Sequence, residues 1–172
     1  MQIHCASRAP TVPAPASALR RPSGGFTLIE LLTVIAILAI MAALSAPSLT
    51  RLIADQRLKS TATDLHLTLL KARSEAIKRN VDVTVSPTGG SWTAGWSVLD
   101  PQAPSGPALD LRGPVASVSV TTTATQVVYR GTGRITPAGE VRFVFTSTRT
   151  DAARCLSIDP SGRPYLKEGS SC

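Results

Sequence analysis

Few side chains in this sequence could carry chemistry. It holds two histidines, His4 and His66, and three cysteines, Cys5, Cys155 and Cys172. If the first 25 residues are removed, one histidine and two cysteines remain, too few for a Cys- or His-rich zinc site, which takes four converging ligands. The inventory also pairs no histidine with a nucleophile, so neither an enzyme activity nor a metal or cofactor is expected. His66 lies between Leu65 and Leu67 and reads as an ordinary helix histidine. The side chain that stands out is Glu30, the sole charge in residues 26–46. An ionisable group inside a membrane span costs a few kcal/mol, so it normally has a partner and a task.

Composition narrows the setting. The chain has 172 residues, 43% apolar and 4% aromatic, with net charge +7. That length suits one modest domain with an appendage, not two full cores. Twelve Gly and 13 Pro are close to average, which argues against general disorder. Residues 26–46, FTLIELLTVIAILAIMAALSA, would form a helix of roughly 31 Å, enough to cross a hydrocarbon core. A cleaved secretory signal fits poorly, because its apolar region is shorter and carries no carboxylate. Pro47, directly after Ser45-Ala46, also makes a poor cleavage site. A buried core helix fits no better, because no other segment is apolar enough to surround it. The stretch therefore reads as a membrane helix bearing a functional carboxylate.

Gly25-Phe26-Thr27-Leu28-Ile29-Glu30, after a basic leader and before a long apolar run, resembles the prepilin processing site of type IV pilins and type II secretion pseudopilins. The resemblance implies cleavage after Gly25 by a prepilin peptidase and N-methylation of the new terminus at Phe26. It also implies that Glu30 meets the Phe26 amine of an adjacent pilin subunit, so that two costly buried charges neutralise each other. Residues 1–25 would leave as the leader, which is rich in Ala and Pro and unstructured; His4 and Cys5 leave with it.

Beyond Pro47, expected to kink or briefly interrupt the helix, the pattern is helical again. Leu49, Leu52, Ile53, Leu58, Ala62, Leu65, Leu69, Ala72, Ala76 and Ile77 recur mainly every three or four residues, an apolar stripe that packs a head domain. Arg51, Asp55, Lys59, Lys71, Arg73, Lys78 and Arg79 form the opposite, solvated face, and Asn80 is the expected stop. Ala72 to Asn80, ARSEAIKRN, resembles the end of this helix in the GspH/FimT branch of pilin-like proteins. After Asn80 the period changes. Strands are expected over 81–86, 95–99, 115–121, 126–130, 141–146, 154–158 and 163–167, with turns at Gly89-Gly90, Gly131-Thr132-Gly133, Pro137-Ala138-Gly139 and Asp159-Pro160-Ser161-Gly162. The prolines at 101, 104 and 107 mark a loop. Trp92 and Trp96 are expected to pack in the core or at its rim rather than stack on bases. Gly95-Trp96-Ser97-Val98-Leu99 also resembles a second-strand pattern of the same family.

The expected fold is α+β: a long N-terminal transmembrane and amphipathic α-helix packed on a small antiparallel β-sheet head. Its parts are the leader (1–25), the membrane half of the helix (26–46), the amphipathic half (47–80) and the head (81–172). Cys155 and Cys172 are the two cysteines left after cleavage. If oxidised, they close a loop of about 17 residues, worth roughly 3 kcal/mol in the chain-entropy model. Positive charge does not settle the orientation, since Arg8, Arg20 and Arg21 before the span face Arg51, Arg57 and Lys59 after it. A disulfide requires an oxidising compartment, which puts the head in the periplasm and the N-terminus in the cytoplasm. From there a pilin-like subunit would move from the bacterial inner membrane, amid its lipid, into a filament.

Inside the Cys-to-Cys loop, Ser161-Gly162-Arg163 resembles the minor-pilin members of the family, FimT and FimU. In FimT-like proteins a Gly-Arg-x-Arg pattern is implicated in binding DNA; here Tyr165 stands where the second arginine would be. Residues 130–167 carry seven basic against three acidic side chains, and residues 80–129 one against three. Arg163, Lys167 and Arg154 are therefore the candidates for contacts with DNA phosphates. The expected function is that of a structural subunit, a minor pilin of a type IV pilus or a pseudopilin of a type II secretion system. A DNA-uptake pilin and a pure secretion pseudopilin are the alternatives.

Overall fold

A computed structural model describes residues 25–136 and 138–172, with the side chains of Ala46 and Pro47 set aside. Residues 1–24, the expected leader apart from Gly25, and Pro137 lie outside the described residues. Helix α1 spans Leu28–Arg79, and contacts divide the chain into an N-terminal unit ending at Met41 and a unit of Ala42–Cys172. The expected interruption at Pro47 does not occur, because helical backbone continues through it. Proline removes one N–H from the ladder, and Ser48 Oγ donates 2.8 Å to the Ser45 carbonyl in the same turn.

The helix stops where expected. Asn80 takes a left-handed φ of 53°, Asn80 N donates to Ile77 O at 3.4 Å and Val81 N to Ala76 O at 3.3 Å. This is a Schellman motif that uses Asn in place of Gly and satisfies two terminal carbonyls.

Nine strands follow among the described residues: β1 (Val83–Pro87), β2 (Trp96–Val98), β3 (Asp110–Arg112), β4 (Ser119–Thr122), β5 (Val127–Tyr129), β6 (Ile135–Thr136), β7 (Val141–Ser147), β8 (Thr150–Ile158) and β9 (Pro164–Glu168). They form not one antiparallel sheet but two, ordered β3-β2-β1-β5-β6 and β4-β7-β8-β9. The short β3 and β6 were not expected; at three and two residues each is too short to read from its own pattern and is completed by an edge pairing. Conversely, the stretch expected at 115–121 keeps strand only from Ser119 onward.

Leu58, Ala62, Leu65, Leu69, Ala72 and Ala76 of α1 are buried against Val83, Val85, Trp96, Val98, Val127, Tyr129, Phe143, Phe145, Leu156 and Ile158. Alanine at three of the helix positions leaves room for the four bulky aromatics facing it. Alternation along β1, β2, β5 and β7 brings the inward side chains together, as Val83 opposite Tyr129 and Val85 opposite Val98 show. Burying each large side chain contributes about 1.5–3 kcal/mol. Both tryptophans are buried as expected. Trp92 meets Phe143 edge-on at 4.8 Å and donates 2.8 Å to the Ala124 carbonyl, while Trp96 Nε1 donates 3.1 Å to Thr68 Oγ1.

The helix stripe is narrower than expected. Leu49, Leu52, Ile53 and Ile77 are exposed rather than buried, because the sheets cover only one side of α1 from Ala54 onward. Several charges read as solvated instead hold the helix in place. Asp55 accepts from Thr150 Oγ1, and Arg79 bridges Glu75 at 2.7 Å and Asp100 at 2.8 Å. The Asp100 carboxyl lies below its ordinary pKa, through hydrogen bonds from the Gln102 amide and from Arg79.

Candidate functional site

The first candidate segment is the start of α1. Gly25 has open space around its Cα, and Phe26 is 85% exposed. Thr27 is the N-cap: its Oγ1 accepts from Glu30 N at 3.2 Å, and its carbonyl accepts from Leu31 N at 3.1 Å. Thr-x-x-Glu before an apolar run is the sequence signal of a capping box, of which the structure shows the half made by Thr27 Oγ1. A carboxylate in the first turn also complements the helix dipole. Leu28–Ser45 has mean hydropathy 2.5 and is unburied throughout; among the described residues, none before Ala54 is buried. This stretch is long and apolar enough to cross a membrane.

The second segment is the hairpin of β8 and β9. Cys155 and Cys172 form a disulfide with a Cα–Cα distance of 5.5 Å, an ordinary separation for such a bridge. The turn between the strands is organised by Asp159. Its carboxylate accepts from Ser161 Oγ at 2.5 Å, Arg163 N at 3.1 Å and Tyr165 Oη at 3.4 Å. The Ser161 hydrogen bond, foremost among these contacts, holds the Asp159 carboxyl below its ordinary pKa.

Gly162 has φ +82°, and a Cβ there would run into the Gly133 carbonyl oxygen. Only glycine allows this approach of one turn on the other. From the far side, Arg73 of α1 donates to the same Gly133 carbonyl at 3.1 Å and to Ser161 O at 3.4 Å. One arginine thus ties the helix to two turns. Its i,i+3 and i,i+4 neighbours gave no sign of this, since the partners are 60 and 88 residues away. Tyr129 is buried beside the junction, and desolvation drives its phenol far above the usual range.

The three basic candidates are separated by this geometry. Arg163 is exposed, with its guanidinium 5.9 Å from the centre of the Tyr165 ring. Lys167 is exposed on the same face of β9 and donates to the Cys172 carbonyl at 3.5 Å. Arg154 sits otherwise: its side chain is only 16% exposed and forms an ion pair of 3.0 Å with Glu168, its cross-strand neighbour. Ser161 and Gly162 turn inward and shape the junction.

Two comparisons bear on these segments. A family model described as Type II transport protein GspH matches residues 61–162, more than half of the chain. The chain belongs to the GspH family. A second model, the prokaryotic N-terminal methylation motif, matches residues 20–46 and so spans the Gly25-Phe26 junction and Glu30.

Solved structures agree with the GspH assignment. The type IV minor pilin FimU of Pseudomonas aeruginosa is similar in two crystal forms. One has TM-score 0.58 and 25% identity, covering 69% of this chain and 96% of FimU; the other has 0.56 and 26%, covering 67% and 99%. The minor pseudopilin EpsH of the Vibrio cholerae type 2 secretion system shares the fold at TM-score 0.53 and 16% identity, covering 65% of this chain and 97% of EpsH. No curated protein matches significantly. This GspH-family chain is a subunit of the minor pilin and pseudopilin class, whose relatives are structural pilins. Its methylation motif implies processing by prepilin peptidase and assembly with other pilins, from an inner-membrane anchor.

Proposed function

We propose that this chain is a minor pilin of a type IV pilus, cut after Gly25, N-methylated on Phe26, and packed into the filament through the apolar half of α1 with its head on the periplasmic side. The observation that carries the reading is the exposed Gly25-Phe26 junction at the foot of an unburied apolar helix whose first turn bears one carboxylate. Cleavage there creates an amine at Phe26 and leaves Glu30 as the nearest opposite charge. Pairing between neighbouring subunits removes two uncompensated charges from an apolar surround, where each alone costs several kcal/mol. The FimU likeness, higher in identity than that to EpsH, favours the pilus over the secretion machine.

Mass spectrometry of the chain from cells with and without prepilin peptidase is the test. The expected result is loss of residues 1–25 and gain of one methyl group, both dependent on the peptidase; an unprocessed chain in peptidase-positive cells overturns the reading. Glu30→Val should insert into membranes yet be missing from sheared filaments. A deletion strain separates the machines, since lost piliation marks the pilus and lost exoprotein secretion marks the pseudopilus.

A second reading, DNA binding at the head, is favoured by Arg163, Tyr165 and Lys167 standing exposed along one face of β9. Titration of duplex DNA across a salt series should then give a log–log slope of about −1 to −2 from two phosphate contacts, with binding lost in Arg163→Glu. No saturable binding at low salt removes this reading and leaves filament assembly.

A further inference from the structure

Several cations of α1 and of the sheets are matched with carboxylates. Lys71, Arg79, Arg112, Arg142 and Arg154 each pair with an acid. The hairpin of β5 and β6 breaks this habit. Tyr129 and Ile135 are cross-strand partners and point into the core. One residue further on, Arg130 N donates 2.9 Å to the Arg134 carbonyl, so Arg130 and Arg134 face each other across the next rung. Alternation along a strand turns both side chains to the outer face. Like charges directly opposite each other destabilise a hairpin, yet among the described residues neither arginine has an acidic partner.

Beside them two threonines supply hydroxyls and two small or apolar residues supply a wall. Arg130, Thr132, Arg134, Ile135, Thr136 and Ala138 line a cavity of about 340 Å³. Arg130 Nε donates 2.6 Å to Thr136 Oγ1, which fixes the plane of the guanidinium and leaves its terminal nitrogens free. The Thr136 hydroxyl, already accepting, has its own proton to give, and Thr132 adds a second hydroxyl at the rim. Among the described residues, no carboxylate lines the cavity. The buried Gly133 carbonyl, held by Arg73 and closed off by Gly162, anchors the turn, so the two arginines stand on a braced hairpin.

We propose that Arg130 and Arg134 form an oxyanion site for a phosphoryl group. Two guanidinium forks with two hydroxyls supply more donors and more positive charge than a single carboxylate can use. A phosphoryl group has at least two anionic or polar terminal oxygens and tetrahedral reach, which suits donors arriving from both strands. Binding also relieves the repulsion between the two arginines. None of the lining residues belongs to the processing junction or to β9, so the proposal is tested separately from the pilin reading and, through Arg163→Gln, from DNA binding at Arg163.

The test uses the full-length, isotope-labelled chain in maltoside micelles, which contain no phosphate. The arginine Nε–H resonances are followed by NMR as sodium phosphate replaces sodium chloride at constant ionic strength. Saturable shifts confined to Arg130 and Arg134 are expected, with affinity falling about tenfold or more in Arg134→Gln and unchanged in Arg163→Gln. Arg134→Lys keeps the charge without the fork and should fall between wild type and Arg134→Gln, which guards against a folding defect in one variant. A DNA duplex and phosphatidylglycerol vesicles, each titrated in place of phosphate, assign the source of the group by which moves the same two resonances at the lowest phosphate concentration. Absence of a saturable shift in every arm overturns the proposal. So does an equal response to acetate, or a response that Arg134→Gln leaves intact.

Discussion

Replacing Gly162 with alanine isolates the contact that joins the two turns to the helix. Two costs follow from the geometry. A left-handed backbone at a non-glycine residue costs about 1–2 kcal/mol. The added Cβ would also run into the Gly133 carbonyl oxygen and lie 3.1 Å from Tyr129 Cε1, so the backbone of residues 131–133 must withdraw. Withdrawal breaks the 3.1 Å hydrogen bond from Arg73 Nε, a charge-assisted bond worth about 1.5–3 kcal/mol. The total is about 2.5–5 kcal/mol, or roughly 5–20 °C in Tm for a chain of this size.

Gly169→Ala supplies the control. Its φ is +99°, but nothing lies within 4 Å of the added Cβ, so only the backbone cost of about 1–2 kcal/mol applies. Urea unfolding followed by circular dichroism should show both midpoints falling at constant slope, with Gly162→Ala lower by about 2 kcal/mol. In an Arg73→Lys background that excess should shrink, because the bond to be lost is already weakened. Equal losses for the two glycine variants would refute the reasoning.

Removing the bridge with Cys155→Ser and Cys172→Ser together should cost about 3 kcal/mol, and dithiothreitol should lower the wild-type Tm by a similar amount while leaving the double variant unmoved. Asp159 has a folded pKa depressed chiefly by Ser161, so its contribution to stability is present at neutral pH. It should be lost as pH falls from the ordinary carboxylate range through the depressed value; Asp159→Asn should flatten that acid limb of the stability profile. Trp96→Phe keeps the buried ring but leaves Thr68 Oγ1 without its indole donor, for an expected loss of about 1–3 kcal/mol in the same urea assay.

Reading along the chain succeeded where the deciding interactions are local. The apolar run, the N-terminal methylation motif, the period of Leu58, Ala62, Leu65 and Leu69, and the stop at Asn80 all depend on neighbours within a turn or two. The turns at Gly131-Thr132-Gly133 and Asp159-Pro160-Ser161-Gly162 were legible for the same reason. The N-cap at Thr27 is local in the same sense, since it bonds Glu30 N three residues on. Elsewhere local pattern was not enough. Leu49, Leu52, Ile53 and Ile77 share the helical period of the core positions, but burial depends on how far the sheets reach along α1.

By itself, then, the sequence determined the order of elements, the anchor-like apolar half of α1 and the family, because composition, period and a short motif are properties of neighbouring residues. Tertiary structure alone decided the division into two sheets and the edge strands β3 and β6, which are too short to read from their own pattern and are completed by an edge pairing. It also decided which charges are engaged. Arg154 is held by Glu168 while Arg163 has no ion pair among the described residues, Arg73 reaches two turns at once, and Arg130 faces Arg134 across a hairpin. Ion pairs and hydrogen bonds of that kind depend on distances set by the fold, and residue type does not encode them.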